Sequence, residues 1–155
     1  MPVIRSISFL LLFTLTASAG APVPFTVMTF NIRLDVASDG PNAWEHRKEM
    51  VTALVRHYGV SLLGIQEALP HQLDYLKEHL PEYGVFGVGR DDGKRAGEIM
   101  AILYRKERFD TLATATHWCS PTPDRPGLGW DAACNRTVTY GRMKDRIDGK
   151  VFHYY

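Results

Sequence analysis

The sequence has few cysteines, nearly equal numbers of basic and acidic residues, and few long runs of hydrophobic residues. Its 155 residues include two cysteines, and 18 basic against 17 acidic residues give a formal net charge of +1. This balance argues against binding nucleic acid through a strong basic field, although a nuclease with a local site stays possible. Hydrophobic residues make up 45% and charged residues 23%, which excludes disordered, collagen-like and coiled-coil chains. The length allows one domain with a buried core, or part of a larger domain.

The long apolar run, residues 7–15, lies in a segment with the features of a secretory leader. Arg5 precedes the run, and Ala17-Ser18-Ala19 follows it with the small-residue spacing that signal peptidase accepts. The run is too short to cross the roughly 30 Å of hydrocarbon in a bilayer. We therefore predict a signal peptide over residues 1–19. Residues 20–155 would then be secreted or periplasmic, with no transmembrane anchor after cleavage.

Export would place the two cysteines in oxidising conditions. Cys119 and Cys134 enclose 14 residues that are rich in proline and glycine. A disulfide across a loop of this length would be worth about 3 kcal/mol in the chain-entropy model. The alternative is two free, buried thiols, because sequence does not give the geometry that a disulfide needs. We predict the disulfide, since a zinc site needs more ligands than this spacing offers.

The hydrophobic pattern begins as strand, helix, strand. Residues 25–32 are dense in β-branched and aromatic side chains, which predicts a strand. Asn42 with Glu45 three residues later resembles a capping box, and Gly59 is a typical helix stop. Residues 60–65 form a short apolar run that suits a strand covered on both faces. This order predicts a βαβ unit with two parallel strands.

A second helix and a series of strands follow. Pro70 suits the first position of a helix, and Pro81 ends it. The further strands are predicted at residues 83–89, 98–104, 111–118 and 136–143. Asp148-Gly149 predicts a hairpin turn into a return strand, and the sequence stops at Tyr155 within that strand. We expect an α/β fold with one mixed sheet and two helices, belonging to a longer protein.

Two polar residues follow the two strands that are predicted to be parallel. Asn31 lies at the carboxyl end of the first strand, and Glu67 lies just beyond that of the second. Sites in open α/β sheets gather at this edge. Amide and carboxylate oxygens suit a hard cation such as Mg²⁺. The alternative from the residues alone is that Asn31 caps a turn and Glu67 begins a solvated loop.

Six sequence blocks resemble the endonuclease/exonuclease/phosphatase superfamily, which has the deoxyribonuclease I-like fold. They are MTFNIR (28–33), NAWEHRKE (42–49), GIQE (64–67), GVGRDDGKRAGE (87–98), IMAILYRKERF (99–109) and GWDAACNRTVTY (129–140). The blocks cover nearly all of the chain after the leader, and their order and spacing make the resemblance specific. It is strongest to secreted bacterial members and weaker to deadenylase-type nucleases.

The resemblance implies roles for four residues. Glu67 matches the principal Mg²⁺ (or Mn²⁺) carboxylate, and Asn31 matches the amide beside the metal and the scissile phosphate. Glu98 matches the acidic residue that orients the catalytic histidine, and Arg136 matches a phosphate-facing arginine. From the residues alone, Glu98 is equally a solvated strand start. The alternative for Arg136 is a surface ion pair with Asp131 or another acidic residue. Such a pair contributes under about 1 kcal/mol to stability.

The resemblance also implies parts that this sequence does not contain. The general acid/base histidine, the Asp-x-Asn pair and the final histidine motif of the superfamily lie in the second half of the domain. None of the six histidines present stands in a matching context. Residues 20–155 are therefore expected to be the N-terminal half of a four-layer α/β sandwich. Leu69 stands where deoxyribonucleases carry an arginine that reaches into DNA, which argues against minor-groove binding.

These observations predict a Mg²⁺-dependent hydrolase of phosphodiester or phosphomonoester bonds. The substrate classes are nucleic acid, nucleotide, lipid phosphate and sugar phosphate, and the near-neutral charge favours the last two over long nucleic acid. The alternative is a non-catalytic truncated product or a binding module. The sequence does not indicate an oligomeric state.

Overall fold

The computed structural model describes residues 23–155, so the predicted signal peptide lies outside the described residues. The strands are β1 (Val27–Asn31), β2 (Leu62–Ala68), β3 (Tyr83–Phe86), β4 (Ile99–Arg105), β5 (Phe109–Trp118), β6 (Thr137–Asp145) and β7 (Val151–Tyr154). The helices are α1 (Trp44–His57) and α2 (Pro70–His79), and a 3-10 helix (Ala37–Asn42) precedes α1. Each predicted helix and strand is present, with ends that differ by a few residues.

The first sheet has four strands in the order β1-β2-β4-β3. Strands β1 and β2 run parallel, which confirms the predicted βαβ unit, and β4 is antiparallel to both of its neighbours. Helices α1 and α2 cover one face of this sheet. The fully buried aliphatic side chains in this layer include Val55, Leu63, Leu76, Leu80 and Leu103. Burial of this kind contributes about 1.5–3 kcal/mol for each large side chain.

The last three strands form a second, antiparallel sheet in the order β5-β6-β7. The predicted single mixed sheet is therefore wrong in that detail, while the α/β class and the two helices are confirmed. Leu62 of the first sheet packs with Phe109 and Met143 of the second, and all three are buried. Burial alternates along β6, whereas the residues of β2 and β4 are all buried or half-buried. The contacts between residues distant in sequence hold the two sheets together.

Two predicted turns are confirmed, and one predicted helix cap is not. Gly59 follows α1 with φ of 54°, and Gly149 turns the β6–β7 hairpin with φ of 73°, both in the left-handed region that glycine adopts without strain. At the start of α1 the N-cap position is held by Ala43, with no side-chain hydrogen bond. Asn42 is the last residue of the preceding 3-10 helix, so it is not free to take the extended conformation of an N-cap.

The predicted disulfide is absent, because Cys119 and Cys134 are both free thiols. The loop between them is held by backbone packing instead. The Cys119 amide donates to the Arg136 carbonyl at 2.8 Å. Gly129 lies so close to the Cys119 carbonyl that a side chain there would have no room. The loop ends are thus fixed without a covalent link.

Strands β1 and β7 lie at neighbouring edges of the two sheets. Each has a strand on only one side among residues 23–155. The Tyr154 hydroxyl near the end of β7 donates to the Met28 carbonyl of β1 at 3.4 Å, so the two edges meet. Among the same residues, no helix is long and apolar enough to cross a membrane.

Candidate active site

Asn31 and Glu67 meet at the edge where the parallel strands β1 and β2 end. The register pairs Asn31 with Gln66, which places Glu67 one residue further along. The Asn31 Nδ2 group donates to Glu67 Oε1 at 2.7 Å. The topology predicted from the sequence thus brings the two candidate metal-binding residues into direct contact.

A break in the regular pairing of β2 determines the direction of the Glu67 side chain. Pairing between β2 and β4 shifts register between Ile65 and Ala68, and Glu67 has a φ of 62°. A left-handed backbone is costly for a residue with a side chain, and such strain is found where a site holds it in place. A bulge of this kind re-aims a side chain at the end of a strand.

The Glu67 carboxylate is held in its ionised form. Its Oε1 atom accepts the Asn31 amide, and its Oε2 atom accepts the Leu34 backbone N–H at 3.0 Å. These hydrogen bonds, the Asn31 bond first, lower the pKa of Glu67 below its ordinary value, and the positive charges of Arg33 and Arg47 lower it further. A carboxylate that stays charged at neutral pH is ready to bind a cation.

The turn after β1 fixes the orientation of Asn31. Asn31 Oδ1 accepts the backbone N–H of Arg33 at 2.8 Å, so the nitrogen of the amide faces Glu67. Arg33 also has a φ of 62°, and its guanidinium forms two hydrogen bonds of 2.7 Å with Asp39. That pairing lowers the pKa of Asp39. Glu67 itself and Arg33, two residues after Asn31, therefore both have left-handed backbones.

Glu98 lies one residue before β4 at the same edge of the sheet. Its carboxylate pairs with Arg90 at 2.9 Å, and both side chains are largely buried. The Arg90 carbonyl in turn accepts Trp118 Nε1 at 2.7 Å and Asn135 Nδ2 at 3.1 Å. Glu98 is thus neither a freely solvated strand start nor in contact with a histidine among the described residues.

Arg136 lies one residue before β6 and is exposed. Its side chain forms no ion pair within residues 23–155, so the alternative pairing with Asp131 is not present. The start of β6 lies beside the start of β4, because the Thr139 hydroxyl donates to the Met100 carbonyl. Arg136 and Glu98 therefore lie at the same end of the sandwich as Asn31 and Glu67, although only the last two touch.

The donor set fits part of a hard-cation site. Glu67 supplies carboxylate oxygens of the kind that Mg²⁺ and Mn²⁺ prefer and is held charged, and the Asn31 amide orients it. Residues 23–155 contain no group of three or more acidic, histidine or cysteine side chains placed to hold a metal. The described residues can thus contribute ligands to a metal centre and need others to complete it.

Sequence reasoning missed the residues that support this site. Gln72 and Arg47 bind the turn that carries Arg33, and Arg90 pairs with Glu98. Gln72 and Arg47 do leave a signal, because each is a polar residue on the otherwise apolar face of its helix. A polar residue at such a position needs a buried partner.

The sequence profile of the Endonuclease/Exonuclease/phosphatase family matches residues 28–145. The chain belongs to this family. The resemblance predicted from the six sequence blocks is therefore confirmed. A comparison with curated proteins found no significant match.

Solved structures of the family agree with the fold. An endonuclease/exonuclease/phosphatase from Bacteroides vulgatus is 41% identical with a TM-score of 0.82, over 83% of this chain and 50% of that one. A mannosyl-6-phosphatase from Bacteroides thetaiotaomicron is 39% identical with a TM-score of 0.81, over 84% of this chain and 49% of that one. The human Nocturnin catalytic domain shares the fold at 18% identity and a TM-score of 0.65, over 84% and 47% of the two chains. This chain spans about half the length of these relatives.

Proposed function

We propose that this chain forms the N-terminal half of a divalent-metal-dependent phosphoester hydrolase. The observation that carries the proposal is the contact between Asn31 and Glu67 at the carboxyl ends of β1 and β2. A charged carboxylate and an oriented amide at this position, in a chain of this family, suit the binding of Mg²⁺ or Mn²⁺ beside a phosphate.

Glu67 would be the ligand of the metal ion, and Asn31 would hold the Glu67 carboxylate in position. A bound Mg²⁺ would neutralise charge that builds on the phosphoryl oxygens. Arg136, exposed and without an acidic partner in the described residues, is free to donate to two phosphate oxygens at once. These side chains would bind and orient the ester, while the base that activates water would come from elsewhere.

Glu98 would position that base. Its Oε1 atom already binds Arg90, which fixes the carboxylate and leaves Oε2 for a histidine. A carboxylate bonded to an imidazole sets its tautomer and stabilises its charged form. The second half of the domain would supply this histidine and further carboxylates, and the meeting edges of β1 and β7 are where its strands would add.

We propose a sugar phosphate monoester as the substrate. The support is the 39% identity to the mannosyl-6-phosphatase from Bacteroides thetaiotaomicron. The formal charge of +1 agrees, because a long polyanion is usually bound through a basic surface. An exported enzyme, as the predicted leader implies, would meet such compounds outside the cytoplasm.

The test is hydrolysis of two substrates by the natural gene product. Hydrolysis of mannose 6-phosphate is followed as release of phosphate, and hydrolysis of bis(p-nitrophenyl) phosphate as release of p-nitrophenol. We expect turnover of the sugar phosphate that is lost with EDTA and restored by Mg²⁺ or Mn²⁺. Glu67→Gln should lower that rate by about 100-fold or more at low Mg²⁺, because loss of a residue that binds a metal ion lowers both metal affinity and activity. Glu78→Gln is the matched control, because Glu78 is exposed on α2 and its side chain forms no hydrogen bond or ion pair within residues 23–155. Metal-independent hydrolysis, or a wild-type rate in Glu67→Gln, would refute the proposal.

A further inference from the structure

One fully buried amide connects the two segments that carry Asn31 and Glu67. Gln72, in the first turn of α2, is 0% exposed. Its Oε1 atom accepts the backbone N–H of Leu69 at 3.0 Å, and its Nε2 atom donates to the Arg33 carbonyl at 3.0 Å. Leu69 follows β2 by one residue and Arg33 follows β1 by two. A single side chain therefore links the ends of both strands.

A second side chain binds the same carbonyl from the other helix. Arg47 of α1 donates to the Arg33 carbonyl at 2.7 Å, to the Asn42 carbonyl at 2.8 Å and to the Ile32 carbonyl. The Arg33 carbonyl thus receives one bond from each helix. The two bonds fix the peptide that follows a residue in the left-handed region.

The conformation of this turn decides how the site residues point. Arg33 donates its N–H to Asn31 Oδ1, and Leu34 donates its N–H to Glu67 Oε2. Both donors lie in the turn whose carbonyl Gln72 and Arg47 hold. A left-handed backbone at a residue with a side chain persists only when surrounding bonds impose it. Loss of those bonds would let the turn relax and release both acceptors.

We propose, on the basis of the metal-dependent function above, that Gln72 is a positioning residue for the metal site. It imposes the Arg33 turn, and the turn holds Asn31 and Glu67 in the geometry that binds the cation. An apolar side chain of the same size would fill the same space but would leave the Leu69 N–H and the Arg33 carbonyl without this partner. The amide is therefore required for orientation rather than for filling the core.

The pair His71–Asp35 provides a matched control. It also joins the first turn of α2 to the segment after β1, through a contact of 2.8 Å. It lies on the exposed side and bonds to no atom of residues 31–34. If any link between these segments were enough, His71→Ala would act like a change at Gln72.

The first experiment measures hydrogen exchange in the natural gene product without metal. In Gln72→Met we expect protection of the Leu34 amide to fall at least about tenfold, while the amide of Leu103 in the centre of β4 changes much less. His71→Ala should leave Leu34 protected. Equal Leu34 protection in Gln72→Met and the unsubstituted protein would overturn the proposal, as would an equal loss at Leu34 and Leu103, which would mean general destabilisation.

The second experiment measures the Mg²⁺ dependence of phosphate release. In Gln72→Met the half-saturating Mg²⁺ concentration should rise about 10- to 100-fold, with most of kcat recovered at saturating Mg²⁺. A lower kcat with unchanged Mg²⁺ half-saturation would indicate a structural role and refute the positioning role. If the unsubstituted protein had no metal-dependent activity, the proposed function would fail, and the exchange experiment would still decide whether Gln72 holds the turn.

Discussion

At the scale of single residues, the charge of Glu67 is controlled by its hydrogen-bond partners. Its folded-state pKa lies below the ordinary value of 4.5, first because of the Asn31 hydrogen bond and then because of the Leu34 amide. Folding therefore favours the ionised form. The stability that this preference contributes is present above the ordinary pKa and is lost as the pH falls through the lower, folded-state pKa.

We predict that Glu67→Gln weakens the acid dependence of stability. The unsubstituted protein should lose stability as the pH falls below about 4.5, where the carboxylate begins to be protonated. The variant lacks this titration, so its curve of Tm against pH should be flatter between about pH 5 and pH 2. Glu78→Gln, at an exposed position on α2, controls for the general effect of removing one carboxyl group. Parallel curves for Glu67→Gln and the unsubstituted protein would contradict the role of these hydrogen bonds.

Arg136 provides a test of phosphate binding at a residue that folding does not need. Its side chain is exposed and forms no ion pair in residues 23–155, so Arg136→Ala should leave Tm nearly unchanged. Loss of a charge-assisted bond to phosphate costs about 1.5–3 kcal/mol, which predicts a fall in kcat/KM of about 10- to 100-fold. Arg142 is also exposed and lies on β6, and Arg142→Ala should change neither Tm nor kcat/KM. Unchanged kcat/KM in Arg136→Ala would remove this residue from the site.

The cysteines are predicted to react as free thiols. Cys119 is exposed and Cys134 is half-buried, and neither is linked. Alkylation of the native protein without reductant should modify both, Cys119 faster because of its exposure. Mass spectrometry of the alkylated protein checks this. An unmodified pair that reacts only after reduction would contradict the structure and restore the disulfide.

The residues most accessible to sequence reasoning were those whose chemistry depends on local position. Asn31 and Glu67 were placed together because each follows a strand of one βαβ unit, and they do meet. Gln72 and Arg90 were missed because their partners lie 39 and 8 residues away along the chain. A polar residue on a helix signals that a partner exists, but the pattern does not say which one.

At the scale of helices and strands, local sequence signals predicted the helices and strands correctly but did not predict how the strands divide between two sheets. Gly59 and Pro70 end and begin helices for reasons of backbone geometry alone, so they were predictable. The assignment of β5, β6 and β7 to a second sheet was not predicted, although the alternating burial of β6 differs from the nearly continuous burial of β2 and β4. The difference lies in long-range packing such as that of Met143 against Leu62.

The packing of one sheet on the other makes Gly141 a sensitive position. A Cβ atom at Gly141 of β6 would lie 2.6 Å from the ring of Phe86 at the end of β3. Gly141→Ala should therefore destabilise the protein by about 1–3 kcal/mol, as overpacking between close-packed layers does. Val138→Ala is the control, since Val138 is 41% exposed on the outer face of the same strand. Denaturant unfolding compares the two, and equal effects would mean that the sheets do not pack as described.

At the scale of the whole molecule, one open edge of each sheet lies beside an open edge of the other. Strands β1 and β7 have one partner apiece among residues 23–155, and they meet at Tyr154 and Met28. Exposed apolar side chains lie along these edges, with Val27 51% and Val151 46% exposed. Unpaired strand edges with apolar side chains favour association with another segment. The relatives are about twice as long as this chain.

We predict that residues 20–155 alone are inactive and only weakly stable. Without a base and further carboxylates, Asn31 and Glu67 cannot complete a metal centre or activate water. The second sheet already buries Leu62, Phe109 and Met143, so the loss of stability is smaller than a single uncovered sheet would suffer. Each further large side chain left in water still forfeits about 1.5–3 kcal/mol, against a typical net stability of about 5–15 kcal/mol.

The comparison is between residues 20–155 and the natural gene product. Size-exclusion chromatography, thermal unfolding and Mg²⁺-dependent release of phosphate from mannose 6-phosphate are measured on both. We expect the shorter protein to aggregate through the β1 and β7 edges, to unfold at a lower temperature and to release no phosphate. Charged substitutions at two edge positions, Val27→Lys and Val151→Lys, should reduce the aggregation without restoring activity, because they block edge pairing but add no ligand. A monomeric residue 20–155 protein with a sharp unfolding transition and metal-dependent turnover would mean that the site is complete within this chain, and that the open edges need no partner.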